Sequence, residues 1–170
     1  MERIPPKPKA EKIEDVDLND LSGWKPLEVP QGEYVVYVDG CSKGNPGEAA
    51  YAFVAFAHGG VEVLRGGDAL GKKTNNQAEY EGLIASLEIC LKMGLLNILV
   101  VSDSELLVKQ IQGLYRVKNP DLRTLWGQAK SLAHRFEKFD IRFTPRKGNA
   151  AADKLANEAL RIGLKSRRGR

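Results

Sequence analysis

The sequence predicts a single α/β domain, and three observations carry that prediction. Two runs of β-branched and apolar residues, YVVYVD (34–39) and NILVVSD (97–103), each stop on an aspartate. Apolar residues recur at helical spacing in the stretches between and after them. The resulting order is β-β-β-α-β-α-α-β-α. Three antiparallel strands followed by crossovers to parallel ones make a five-stranded mixed sheet with helices on both faces.

Each element has its own local reason. YVVYVD ends at Gly40 as a buried strand, and CSKGNPGE reads as the loop after it. AAYAFVAFA (49–57) is the second strand, Gly59-Gly60 a hairpin turn, and VEVLRGGDAL (61–70) the third strand. Thr74 through Met93 is a helix, with Leu83, Leu87 and Leu91 every four residues, Ile84 and Cys90 widening the stripe, and Gly94 ending it. After NILVVSD, the short helix SELLVKQIQG closes at Gly113. Asn119-Pro120 opens a helix that turns Leu122, Leu125, Trp126, Ala129, Leu132 and Ala133 inward and runs up to Phe136. FDIRFT (139–144) is the last strand, and Asn149 caps a final helix to about Ile162.

The domain is expected to span 33–163. Residues 1–32 hold Pro5, Pro6, Pro8, Pro26 and Pro30 and show little periodicity, so they form an extension that is disordered or draped over the domain, with Trp24 and Leu27 as anchors. Residues 164–170 are a basic tail. The last ten residues, RIGLKSRRGR, hold Arg161, Lys165, Arg167, Arg168 and Arg170 without an acid, suiting either a solvated end or a non-specific phosphate contact.

Composition excludes several function classes. With 170 residues and 42% hydrophobic content, the chain can bury roughly 70% of its unfolded surface without disulfide or metal staples. No stretch nears the ~18 apolar residues of a membrane span, so no membrane partner is expected. MERIPPKPKAEK lacks the apolar core of a secretory signal, and Cys41 and Cys90 fit no disulfide framework, which points to reduced thiols and the cytoplasm. His58 and His134 have no zinc-ligand spacing. A net charge of +4 suggests a polyanionic partner.

Four carboxylates fall where acids are costly. Asp39 and Asp103 end apolar strands; if those strands are parallel, the two sit side by side at the carboxyl edge of the sheet, where such sheets place their chemistry. Glu79 lies four residues before Leu83, on the core-facing stripe, and Asp153 borders the apolar face of the last helix. Taken singly, Asp103 reads as a helix cap, Asp39 as a turn residue and Asp153 as a partner of a helix dipole. Together they would repel one another unless cations neutralised them. Oxygen-only donors select Mg²⁺ or Mn²⁺, and with them phosphodiester hydrolysis.

The run YVDGCSKGNPG, then TNNQAEYEGL, then VSDSELLVKQI, then RKGNAAADKLANEAL resembles type 1 ribonuclease H, motif by motif over about residues 33–162. The resemblance implies a ribonuclease H-like fold and a monomeric endonuclease. That enzyme would cut the RNA strand of RNA–DNA hybrids without sequence specificity, leaving 5′-phosphate and 3′-hydroxyl ends. It implies two Mg²⁺, with Mn²⁺ as a substitute, held by Asp39, Glu79, Asp103 and Asp153. Asp39 would be shared between the ions, Glu79 and Asp103 would complete one site, and Asp153 would hold the other. Asn45, Asn75 and Asn76 would face the RNA strand, Thr74 and Asn119 a DNA phosphate, and Gly40 and Arg146 would also touch substrate. Small amide and hydroxyl groups suit 2′-hydroxyl readout, which separates RNA from DNA without reading bases.

Two departures from the family pattern are visible. The loop TPRKGNAAAD holds no histidine before its aspartate, and Arg146 or Lys147 is positioned to take over. Only Gly113 to Asn119 joins the two middle helices, so the basic protrusion of some members is missing and Tyr115, Arg116 and Lys118 are a remnant. Two other readings share the fold: a hybrid-binding module without catalysis, and a nuclease for branched DNA or double-stranded RNA.

Overall fold

A computed structural model describes residues 3–5 and 9–168. The strands β1 (Tyr34–Gly44), β2 (Gly47–Ala57), β3 (Val61–Lys73), β4 (Asn97–Ser102) and β5 (Lys138–Phe143) form one sheet in the order β3-β2-β1-β4-β5. β1 pairs antiparallel with β2 and β2 with β3, whereas β1–β4 and β4–β5 are parallel. The helices are α1 (Asn75–Lys92), α2 (Glu105–Ile111), α3 (Pro120–Ala133) and α4 (Ala150–Arg168). This is the mixed sheet the sequence predicts, in the predicted element order.

Alternation along β1 divides the core into two layers. Val36 and Val38 face the cluster formed with Leu83 and Leu87 of α1 and Leu107 and Val108 of α2. Val35 and Tyr37 face the opposite cluster, formed with Leu155, Ala156 and Leu160 of α4. Among the described residues, no helix is long and apolar enough to cross a membrane.

Three boundaries differ from expectation. The CSKGNPGE stretch is not a loop: β1 continues to Gly44, opposite Gly47, because ladder hydrogen bonds need no apolar side chain. The tight reversal demands glycine twice, since Gly44 has φ +94° and a Cβ on Gly47 would lie 1.8 Å from the Lys43 carbonyl oxygen.

The basic tail is not separate either. α4 runs on to Arg168, with Leu164 against the second core layer and Arg167 paired with Glu48. Gly169 and Arg170, the end of that expected tail, lie outside the described residues, as do Pro6 and Pro8.

Finally, Asn149 precedes α4 as expected of its cap, but its side-chain oxygen accepts no helix N–H. It closes a 3-10 turn (Arg146–Asn149), is fully buried, and donates from Nδ2 to the Val38 carbonyl at 2.9 Å.

Residues 9–32 lie along the α4 face of the sheet. Ile13, Val16 and Val29 are buried in the second core layer. Arg65 donates to the carbonyls of Ile13 and Val16, and Lys154 to that of Asp17. Trp24 packs 5.1 Å from the Tyr37 ring and 5.7 Å from Phe56, and its indole N–H reaches Gly148 O at 2.9 Å. Leu27 is held by its backbone instead, donating to the Tyr37 hydroxyl while its side chain stays exposed.

Candidate metal centre and nucleic-acid interface

The parallel pairing of β1 with β4 ends at Val38 opposite Ser102, so Asp39 and Asp103 follow as neighbours. Asp39 is not at a strand end or in a turn, because β1 runs five residues past it. Asp103 is not the cap of α2. Ser104 is: its hydroxyl accepts the Leu107 N–H. The ordinary readings of these two acids therefore lose their geometry. Asp153, in the first turn of α4, remains well placed for the helix dipole.

Glu79 arrives from α1, whose start is fixed by a capping box: Thr74 Oγ1 accepts the Gln77 N–H, and the Gln77 side chain accepts the Thr74 N–H. The stripe that buries Leu83 and Leu87 buries Glu79 too, at 4% exposure. α1 can lie this close only because residue 40 has no side chain. A Cβ there would sit 2.4 Å from the Ala78 carbonyl carbon and the Glu79 nitrogen. The Gly40 N–H then donates to Glu79 Oε2 at 3.1 Å.

Asp39, Glu79 and Asp103 each present an oxygen, and these three atoms lie within 4.8 Å of one another. Burial pushes the Asp39 carboxyl up to about 8, helped by the charges of Asp103 and Asp153. Burial and then the charges of Asp39 and Asp103 hold Glu79 well above the usual carboxylate range, against the pull of the Gly40 N–H. Asp103 is raised by burial and by Asp153, with the Asn149 side chain opposing. These acids resist carrying charge on their own, so their ionised form requires a counter-cation. An all-carboxylate donor set suits a hard divalent ion. Asp153 stands outside the close trio yet near enough to perturb Asp39, and its Oδ1 is 3.4 Å from Arg146 Nη2.

Known proteins share this fold and sequence pattern. The Reverse transcriptase-like family model matches residues 37–159. The chain is 44% identical over 129 residues to Ribonuclease HI of Halobacterium salinarum, covering 76% of this chain and 65% of that protein. The crystal structure of RNase H1 from that archaeon superimposes with a TM-score of 0.74 at 43% identity, over 76% of this chain and 98% of the other. The chain belongs to the type 1 ribonuclease H family.

Another ribonuclease H, LC11-RNase H1 in complex with an RNA/DNA hybrid, matches at 36% identity and a TM-score of 0.73, over 77% of this chain and 99% of that one. A bifunctional protein of Mycobacterium tuberculosis is 42% identical over 133 residues, 78% of this chain and 36% of its own length. The chain thus spans between about a third and two thirds of these two curated relatives. Metal dependence is a property of the ribonuclease H family, and the buried trio has the donors for it.

The residues expected at a ribonuclease H substrate surface fall into three places. Asn45, at the exposed tip of the β1–β2 hairpin, accepts the Asn75 N–H through Oδ1 at 3.1 Å, which joins the hairpin to the start of α1. Thr74, Asn75 and Asn76 all lie at that helix start. Asn119 is exposed and caps α3, accepting from the N–H groups of Asp121 and Leu122. Arg146 projects from the turn before α4. Gly40 is different. It is buried beneath α1, so its structural contribution is clearance for Glu79.

The sequence singles out Asn149 as a helix cap and Trp24 as an anchor, but not what either does at the site. Asn149 ties the Asp153 helix to Val38, the residue before Asp39, and its Oδ1 has no protein partner among the described residues. Trp24 holds Gly148 within the turn that carries Arg146. Neither leaves a periodic signal, because both act across more than a hundred residues of sequence.

Proposed function

We propose that this chain is an endonuclease that hydrolyses the RNA strand of RNA–DNA hybrids, without sequence preference, to 5′-phosphate and 3′-hydroxyl ends. One observation carries the reading: the oxygens of Asp39, Glu79 and Asp103 meet within 4.8 Å at the carboxyl edge of the sheet. A family relative seen on an RNA/DNA hybrid supports the choice of substrate.

Asp39, Glu79, Asp103 and Asp153 are the proposed ligands of two Mg²⁺, with Mn²⁺ as a substitute. When bound, such ions supply Lewis acidity at the phosphate and lower the pKa of a water. The chain's own residues do the rest. Asp39 feels the charges of both Asp103 and Asp153, so one carboxylate could serve both sides. Asn45 spends its carbonyl on Asn75 and leaves its amide N–H groups to donate to a 2′-hydroxyl. Asn75 and Asn76 extend that polar edge, while Thr74 and Asn119 offer a phosphate of the DNA strand hydroxyl and amide groups. Arg146, 77% exposed and weakly held by Asp153, is free to swing onto the phosphate being cut, in the place where many relatives carry a histidine.

The test is cleavage of end-labelled hybrid, single-stranded RNA, duplex RNA and duplex DNA across Mg²⁺ and Mn²⁺ concentrations. Only the RNA of the hybrid is expected to be cut, and EDTA is expected to stop it. A folded protein that leaves the hybrid intact at every metal concentration refutes the proposal.

A further inference from the structure

We propose that the chain has a second phosphate-binding track beside the carboxylates, a basic groove that receives the continuation of the RNA strand being cut. This rests on the function proposed above. A groove of about 360 Å³ is walled by Lys9, Lys43, Arg161 and Lys165 together with Asn157, and among the described residues no acid lines it. Its cations come from three separate parts of the fold: the N-terminal segment, the β1–β2 hairpin and α4.

Most of this charge is uncommitted. Arg161 is occupied, by Glu158 and by the Ala10 carbonyl. Lys9, Lys43 and Lys165 are exposed and, among the described residues, have no ion-pair partner. Glu48 stands opposite Lys43 in the hairpin, but Arg167 takes it up. Like charges gathered without a partner repel one another, and a phosphate backbone relieves that repulsion while releasing its counterions.

The groove is continuous with the metal site. Asp39, Cys41 and Lys43 alternate on the face of β1 that meets α4. Asp39 senses Asp153, the Cys41 thiol lies 3.6 Å from the Ala156 carbonyl, and Lys43 shares the groove with Leu160 and Arg161. Each two-residue step along the strand matches about one turn along the helix. The groove therefore opens one turn beyond Asp153, where Asn157 donates to the Asp153 carbonyl at 2.9 Å.

From Asp153 to Lys165 the helix rises about 18 Å, the axial length of about five base pairs. A strand whose reacting phosphate sits at Asp153 runs over this groove next. Lys9, Arg161 and Lys165 all fall outside the residues 37–159 that match the family model. Three of the four cations of the track thus lie beyond that matched region, and Lys43 lies within it.

The experiment measures equilibrium binding of hybrids of about 6 and about 12 base pairs between 50 and 300 mM salt, for the native chain, Lys43→Ala, Lys165→Ala and the double variant. The slope of log K against log salt is expected to fall by about 1 for each lysine removed, and the affinity gained on lengthening the hybrid is expected to shrink by about tenfold in the double variant. Circular dichroism melting confirms that these exposed substitutions leave the fold intact. An unchanged slope and length dependence, with the hybrid still cut, overturns the groove alone. Failure of the native chain to bind hybrid at all overturns both the groove and the function on which it rests.

Discussion

The backbone N–H of Gly40 donates to Glu79 Oε2 at 3.1 Å, and a Cβ on Gly40 would lie 2.4 Å from the Glu79 nitrogen. One residue thus sets both how near α1 comes to the sheet and how its buried acid is aimed. Gly40→Ala pushes backbone against backbone, which cannot yield as a side-chain tip can. The expected cost is about 3 kcal/mol of stability. Displacing Glu79 by even an ångström is expected to lower cleavage by about a hundredfold. Chemical denaturation and hybrid cleavage on the same preparation check both, and native-like values for the pair would mean that α1 slides freely.

Asp39→Asn removes the acid that feels both Asp103 and Asp153 without changing its size. Cleavage of hybrid is expected to fall by at least roughly a hundredfold. In EDTA the variant is expected to melt higher than the native chain, because a repelling and desolvated acid has gone. Native-like turnover by the folded variant would remove Asp39 from the metal site.

The acid cluster also sets a pH dependence. Asp39, Glu79 and Asp103 hold protons more tightly in the folded chain than in the unfolded one. Their stabilisation is complete below the unfolded values and is lost as pH rises through the folded ones. For Asp39 this window runs from 3.8 to about 8. Metal-free protein is expected to lose melting temperature steadily across it, whereas saturating Mg²⁺ is expected to flatten the profile by favouring the ionised forms. Asp39→Asn is expected to be shallower than the native chain without metal. A metal-free profile that climbs over this range contradicts the assignment.

Asn119 offers a way to separate structure from binding. Its Oδ1 caps two N–H groups of α3, so Asn119→Ala is expected to cost about 1 kcal/mol. Asn119→Asp keeps the cap but places a negative charge toward the DNA backbone. Stability is expected to hold while KM for hybrid rises about fivefold or more, a range set by the loss of one charge-assisted contact. Equal KM values for Asn119→Asp and the native chain would reduce Asn119 to a cap.

Much of the fold and of the acid cluster is legible in the sequence because the residues concerned act locally or periodically. Val35 to Val38 and Ile98 to Val101 are apolar on consecutive positions, as strands covered on both faces must be. Glu79 falls in phase with Leu83 and Leu87, so helical periodicity alone is enough to place it inside. Gly40 to Gly44 look like turn residues, yet they pair through backbone groups that composition does not reveal. Ile13, Val16 and Trp24 are isolated apolar residues among prolines and charges, and their partners lie on distant elements. Asp103 has the sequence context of a cap for α2, but the serine next to it fills that role.

The N-terminal segment has a consequence for how the molecule opens. Lys154 and Arg161, both on α4, donate to the carbonyls of Asp17 and Ala10, so two segments far apart along the chain are tied together. Ile13 and Val16 are buried in the layer that α4 completes, and Trp24 packs on Tyr37 and Phe56. Loosening either partner bares apolar surface of the other, so the segment and α4 are expected to open as one unit.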